Sequence, residues 1–215
     1  MSKTAAHLLT RQNRSRRKSV ILGDGISLSL ARVHEVCGPA RYTLAMLIAK
    51  QTQGPVFWIV PEWTTDRPHP DGTFPFMDPA RLTFLSPKRA EDVLWTIEEV
   101  LRSGVVPLVI ADLPAPPALT PIRRLHLAAE TGTQDGDCSP LGILMTPDQG
   151  GAPGVESRWH MSGRHIAEGN RWRLTRNRYR TLPPKTWTMT LAPHDLAITL
   201  DAQIETEGET AGPLG

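Results

Sequence analysis

Cysteine is scarce: Cys37 and Cys138 are the only two in 215 residues. Two thiols cannot build a disulfide framework, so the small cross-linked secreted folds are excluded and a reducing compartment is expected. Long hydrophobic runs are also missing. No apolar stretch approaches the roughly 20 residues of a membrane-spanning helix. The opening MSKTAAHLLTRQNRSRRKS lacks the apolar centre of a signal peptide. A cytoplasmic protein with no membrane partner is expected, although an acid-free, Arg/Ser-rich start also suits a transit peptide. Aromatic residues make up only 6%, but six of them are Trp. Acid is absent at one end: none precedes Asp24, while Lys3, Arg11, Arg14, Arg16, Arg17 and Lys18 are basic.

What is present is an ordinary globular composition, 40% hydrophobic and 21% charged, in a length that suits one domain with extensions. The net charge of +2 hides two blocks. Between Arg158 and Lys185 come Arg164, Arg171, Arg173, Arg176, Arg178 and Arg180 against Glu168 alone, and the end, DAQIETEGETAGPLG, is acidic. Residues 1–22 are expected to be a disordered basic arm and 201–215 a disordered acidic tail, with one domain over 23–200.

Within that domain, strand-like and helix-like segments alternate. ARVHEV (31–36), PVFWIV (55–60), RLTFLS (81–86), VVPLVIADL (105–113) and LGILMT (141–146) are short runs of buried-strand character. RYTLAMLIAKQ (41–51), PKRAEDVLWTIEEVLRSG (87–104) and LTPIRRLHLAAETG (119–132) carry helical spacing. In the second of these Val93, Leu94, Ile97, Val100 and Leu101 form the apolar stripe, Trp95 is assigned to the core with them, and Gly104 ends the helix. In the third, Thr120 is the expected N-cap, Pro121 the first residue and Gly132 the stop. The alternation predicts an α/β fold with a mostly parallel sheet and helices on both faces. After residue 155 short strands with period-two alternation, as in Trp172, Leu174 and in Trp187, Met189, Leu191, either extend that sheet or form a small antiparallel flap.

The segment RVHEVCGPARYTL is a strand, a Gly-Pro turn and a helix start, the setting of a phosphate-binding loop. A working loop has the form G-x-x-x-x-G-K-[ST], whose lysine reaches the β- and γ-phosphates and whose hydroxyl holds Mg²⁺. Gly38 and Pro39 stand where it would open, but the loop is short and no lysine follows a second glycine. Arg41 is the only cation and Thr43 the only hydroxyl at the helix start. Two further acids belong with it. Glu62 follows the strand of WIVPEW and Asp112 ends VPLVIADL, and strand ends of a parallel sheet converge on one edge. A plain strand-turn-helix and a degenerate nucleotide site both fit the turn taken alone.

Together, RVHEVCGP, WIVPEW, DPARLTFLSPKRAEDVLWTIEEVLRSGVVPLVIADL and RRLHLAAE are similar to the RecA-like ImuA family of damage-inducible mutagenesis proteins, over roughly 23–191. The resemblance implies a RecA-like core closed by C-terminal antiparallel strands. By position, Gly38, Pro39, Arg41 and Thr43 fall in the nucleotide loop, Glu62 at the catalytic glutamate and Asp112 at the second acid of such a site. It further implies an accessory protein of error-prone translesion synthesis, partnered by error-prone polymerase subunits including an inactive Y-family-like one, with RecA and single-stranded DNA as further partners. The missing lysine implies binding without ATP hydrolysis and no resident cofactor. The alternatives are an ATPase that uses ATP and Mg²⁺ with Arg41 in place of the lysine, and an inhibitor of cell division like SulA, whose RecA-like fold lacks the nucleotide site.

The stretch RWHMSGRHIAEGNRWRLTRNRYR interleaves arginine with Trp159, Trp172 and Tyr179, which suits single-stranded DNA because arginine binds phosphates and aromatic rings stack on bases. Arg171, Trp172, Arg173, Arg176 and Arg178 are the candidate DNA- or partner-binding residues, and a half-buried strand with solvated arginines is the competing reading. On a strand, Arg171, Arg173 and Thr175 point one way and Trp172, Leu174 and Arg176 the other. His34 with Cys37, and His160 with His165, have ligand-like spacing but complete no four-ligand set, so no metal is expected. Cys37 is expected to be a small buried thiol, and His126 structural.

Overall fold

The computed structural model describes residues 18–23, 25–165, 170–192 and 198–202. In chain order its elements are β1 (Ser19–Gly23), β2 (Ile26–Ser29), β3 (Arg32–Cys37), α1 (Arg41–Lys50), β4 (Val56–Ile59), α2 (Pro70–Thr73), β5 (Leu82–Leu85), α3 (Ala90–Ser103), β6 (Leu108–Asp112), α4 (Leu119–Asp135), β7 (Leu141–Met145), β8 (Ser157–Gly163), β9 (Arg171–Tyr179), β10 (Lys185–Leu191) and β11 (Ile198–Ala202). β1 and β2 form an antiparallel hairpin, and the remaining nine strands form one sheet in the order β11-β10-β9-β8-β3-β7-β6-β4-β5. From β8 to β5 every neighbouring pair is parallel, and from β8 to β11 every pair is antiparallel. The late strands therefore extend the parallel sheet instead of forming a separate flap.

The central strands β3, β6 and β7 are buried at every residue, which is why they read as unbroken apolar runs. One sheet face is covered by α1 and the β1–β2 hairpin. There Leu44, Leu47 and Ile48 of the helix join Val20, Leu22, Ile26 and Leu28 of the hairpin against Trp58, Ile110, Trp159, Trp172 and Trp187. The opposite face is covered by α3 and α4, whose Val93, Ile97, Leu101, Ile122 and Leu125 pack on Val33, Val109 and Leu144. Each large side chain so buried contributes about 1.5–3 kcal/mol. No described helix is long and apolar enough to cross a membrane.

Several boundaries differ from the expectation. Ser19–Gly23, whose first four residues fall within the expected basic arm, is a strand, because Val20 and Leu22 alternate into the core beneath β9–β11. Asp201 and Ala202, within the expected acidic tail, belong to β11. The rest of the arm and of the tail, 1–17 and 203–215, lie outside the described residues. Trp95 is 59% exposed, two residues from both Val93 and Ile97 and hence on the far side of α3. Glu98 is buried instead, held by Arg102 and by Arg124 at 2.8 Å. α4 starts at Leu119 with Ala118 as N-cap and runs past Gly132 to Asp135. Gly132 does not stop the helix. A Cβ there would lie 2.1 Å from the Leu101 carbonyl, so glycine lets α4 cross the end of α3, where Gly104 takes a left-handed cap at φ 63°.

Candidate functional site

At the C-terminal edge of the parallel strands, β3 passes into α1 through Gly38, Pro39 and Ala40. Gly38 has φ +90°, and a Cβ on it would meet the Met161 carbonyl oxygen at 2.5 Å and His160 Nε2 at 2.7 Å. β8 thus lies hard against the turn. The Ala40 N–H donates to the Met161 carbonyl at 3.0 Å and the Arg41 N–H to the Gly38 carbonyl at 3.2 Å. N–H groups that a phosphate cradle would aim at its ligand are here satisfied by protein carbonyls. Pro39 is exposed and Thr43 half-buried.

Asp112 ends β6 facing α1 and is 8% exposed. Its carboxylate accepts a hydrogen bond from the Tyr42 hydroxyl. Burial raises the Asp112 carboxyl above the usual range, and the Tyr42 bond with the nearby Arg41 charge opposes that shift. Burial, then the Asp112 bond, raise the Tyr42 phenol well above its ordinary value, so it stays a donor. Tyr42 stacks on Trp58 with ring centroids 5.9 Å apart, and the Arg41 guanidinium carbon lies 5.2 Å from the centre of the Tyr42 ring. Arg41 Nε and Trp58 Nε1 are buried without a hydrogen-bond partner. An acid meant to hold Mg²⁺ must offer its oxygens to the ion, whereas this one is engaged by a phenol. Arg41 and Asp112 are brought together through Tyr42, and Gly38 opens the turn that leads into the same helix. Glu62 lies on an exposed stretch beyond β4, where its N–H donates to the Pro87 carbonyl at 3.0 Å. Tyr42 is the participant that sequence reasoning missed; its one signal is its place beside Arg41 at the helix start.

Glu35 is the second omission. It is fully buried in β3 and accepts from Thr146 Oγ1 at 2.7 Å, from Gly151 N at 2.8 Å, from Ala152 N at 3.1 Å and from Arg158 Nε. It fixes the loop after β7 and ties β3 to β8. His34 points to the other face, where its ring contacts Ser157 Oγ at 2.6 Å and the Ser29 carbonyl at 3.0 Å. Burial lowers its pKa to about 4. Cys37 is buried, and burial followed by the Glu35 charge pushes its thiol up to about 12. His34 and Cys37 therefore do not converge. Among the described residues no group of three or more His, Cys, Asp or Glu is arranged to hold a metal ion.

The candidate DNA-binding residues divide between two faces. Arg171, Arg173 and Arg178 are exposed. Trp172 and Arg176 lie on the covered face, where strand alternation places them, at 7% and 4% exposure, so these two candidate binding residues are not on the surface. Arg176 donates to the Pro183 carbonyl from Nε at 3.1 Å and Nη2 at 2.9 Å, and to the Gly25 carbonyl from Nη1 at 3.2 Å. Its guanidinium carbon lies 5.2 Å from the Trp187 ring centre and 5.7 Å from that of Tyr179. It pins the β1–β2 turn and the β9–β10 turn to the sheet. Trp159, at 1% exposure, is equally withdrawn, so neither tryptophan offers a stacking surface.

Where β9 ends, a cleft of about 350 Å³ opens against α4, lined by Arg32, Arg123, His126, Glu130, Glu156, Arg178 and Arg180 among others. Arg32 is ion-paired with Glu130 and lies 3.6 Å from Glu156. His126 Nδ1 accepts from the Val33 N–H at 3.3 Å, and its Nε2 contacts the Gly154 carbonyl at 3.1 Å. The first bond requires a bare Nδ1 and the second a protonated Nε2, so the ring is neutral, and burial lowers its pKa accordingly.

No protein-family model matches the chain, and no curated protein matches it.

Proposed function

We propose that this protein is an accessory factor of the DNA-damage response that supports error-prone translesion synthesis without hydrolysing ATP. In this reading the α/β domain is RecA-like, it binds a polymerase partner, and it works in the cytoplasm. The observation that carries the non-hydrolysing part is the turn from Gly38 to Ala40: the N–H groups of Ala40 and of Arg41 just after it are bonded to protein carbonyls, and β8 stands over Gly38. Asp112 adds to this, since Tyr42 engages its carboxylate. The sequence resemblance over the central block supports the polymerase and damage-response part. An ATPase built on Arg41 would have to open the turn and release Asp112 first.

The test is genetic. Loss of the gene should lower damage-induced mutation frequency, and a Glu62→Gln/Asp112→Asn variant should restore it as fully as the wild type. Restoration by the wild type alone, with the variant stable and soluble, would establish a need for the acids and refute the non-hydrolysing reading. Unchanged mutation frequency on gene loss would refute the damage-response reading itself.

A further inference from the structure

The uncovered face of β8–β10 and the cleft at its end share one chemistry. In β9, Arg171, Arg173 and Thr175 point away from the covered tryptophans, paired with Thr190, Thr188 and Thr186 of β10. Arg178 joins that row because the register shifts by one residue between the pairs Arg158–Arg178 and Trp159–Arg176. Two residues along an antiparallel strand are about 7 Å apart, so this strand alone presents guanidinium groups over about 25 Å. The row ends in the cleft, where Arg123 of α4 and Arg180 add to Arg178. The two acids there, Glu130 and Glu156, face Arg32. Among the described residues Arg123, Arg178 and Arg180 have no carboxylate within ion-pair distance. His126 carries no charge. Four arginines against these two glutamates leave the concave cleft with a net positive charge, and such a site concentrates the field on a single anionic group.

We infer that this surface is a track for the phosphodiester backbone of single-stranded DNA, with one phosphate seated in the cleft between Arg123, Arg178 and Arg180. The inference deepens the proposed function and rests on it for the choice of DNA. Guanidinium forks bind phosphate oxygens in a bidentate manner, as they do carboxylates, so the choice of phosphate follows from the proposed function. A continuous row leading into the cleft favours a chain over a free phosphate. The buried positions of Trp159 and Trp172 make the contact a backbone contact with no stacking by either ring, so binding is insensitive to base sequence and steeply dependent on salt.

The experiment is fluorescence anisotropy of a labelled oligo-dT with the full chain across a salt series, alongside Arg123→Ala/Arg180→Ala, Arg123→Lys/Arg180→Lys and Arg171→Ala/Arg173→Ala. Single-stranded binding loses about 0.7 in log–log salt slope per phosphate contact, so the Arg123→Ala/Arg180→Ala pair should flatten the slope by about 1.4 and weaken binding about 25-fold at 0.1 M salt. The lysine pair should recover the slope, and the Arg171→Ala/Arg173→Ala pair should lose a similar amount. Inorganic phosphate at millimolar concentration should compete poorly with the oligonucleotide; strong competition would identify a free-phosphate site and overturn the track. A wild-type slope in the Arg123→Ala/Arg180→Ala variant would overturn the cleft assignment while leaving the genetic phenotype untouched. No binding of oligo-dT by the wild type would overturn the DNA inference, again independently of the mutation-frequency test.

Discussion

Replacing Glu35 by alanine should destabilise the fold by about 3–5 kcal/mol, the range for removing one member of a buried ion pair. The magnitude can be built from the donors left behind. Gly151 N and Ala152 N bond only to this carboxylate among the described contacts, at 2.8 and 3.1 Å; the buried Ala152 N–H left unpaired costs about 1–3 kcal/mol, while the Gly151 N–H, on an exposed residue, can turn to water and loses less. Thr146 loses its acceptor at 2.7 Å. Arg158 suffers less, because its side chain is 18% exposed and Nη2 keeps the Ala152 carbonyl at 2.9 Å. For a chain of this size each kcal/mol moves Tm by about 2–4 °C, so the melting point should fall by about 6–20 °C. Urea denaturation followed by circular dichroism measures the free energy directly. Glu35→Gln, which keeps an uncharged acceptor, should cost less than Glu35→Ala. Glu35→Leu combined with Arg158→Leu should be less damaging than the two single losses added, because it removes both charges together. A loss below about 1 kcal/mol in Glu35→Ala, or a double variant worse than the sum, would refute the reasoning.

Three more outcomes follow from buried groups. His34 has a folded pKa of about 4 against 6.5 unfolded, so the unfolded chain takes up the proton first as pH falls. Stability should be intact above pH 6.5 and decline by about 3 kcal/mol down to pH 4, measured by urea unfolding across pH, and His34→Gln should flatten that part of the profile. Arg176→Ala removes the charged hydrogen bonds to the Pro183 and Gly25 carbonyls, which lie on exposed residues and can turn to water, and should cost about 1.5–3 kcal/mol in the same assay, whereas Arg173→Ala should stay within about 0.5 kcal/mol. Gly38→Ala forces a left-handed residue with its Cβ 2.5 Å from the Met161 carbonyl, and should lower stability by more than the roughly 1–3 kcal/mol of backbone strain alone; an unchanged melting curve would mean that β8 does not stand over the turn.

The parallel half of the sheet is legible in the sequence because its central strands are buried on both faces and its flanking helices α3 and α4 carry one-sided stripes. Apolar runs such as Leu108–Asp112 and the Val93, Ile97, Leu101 series have few other interpretations. The hairpin is not legible. Val20, Leu22, Ile26 and Leu28 are spaced as a strand pair, but the basic residues just before them draw the start of the segment into the arm. Glu35 and Asp112 show the limits at the site. A charged residue inside RVHEVC carries no mark of its four donors, which come from 146, 151, 152 and 158. Asp112 stands out by its position at a strand end, but its occupation by Tyr42 depends on the distance between α1 and β6, which no local pattern encodes.

The basic segment hides its arrangement for a more specific reason. Strict alternation along β9 places 172, 174, 176 and 178 on one face, so Arg176 and Arg178 would share an environment. They do not, because Asn177 has no partner in the register between β8 and β9. One extra residue returns Arg178 to the open face and leaves Arg176 among Trp159, Tyr179 and Trp187. The same residue type one bulge apart thus does opposite work. Arg176 has its donors consumed by backbone carbonyls and holds two turns together. Arg178 has none consumed and stands at the mouth of the cleft with Arg123. Counting arginines in a segment therefore overstates its charge available to a ligand, and the bulge, which sequence periodicity cannot locate, decides which of them remain free.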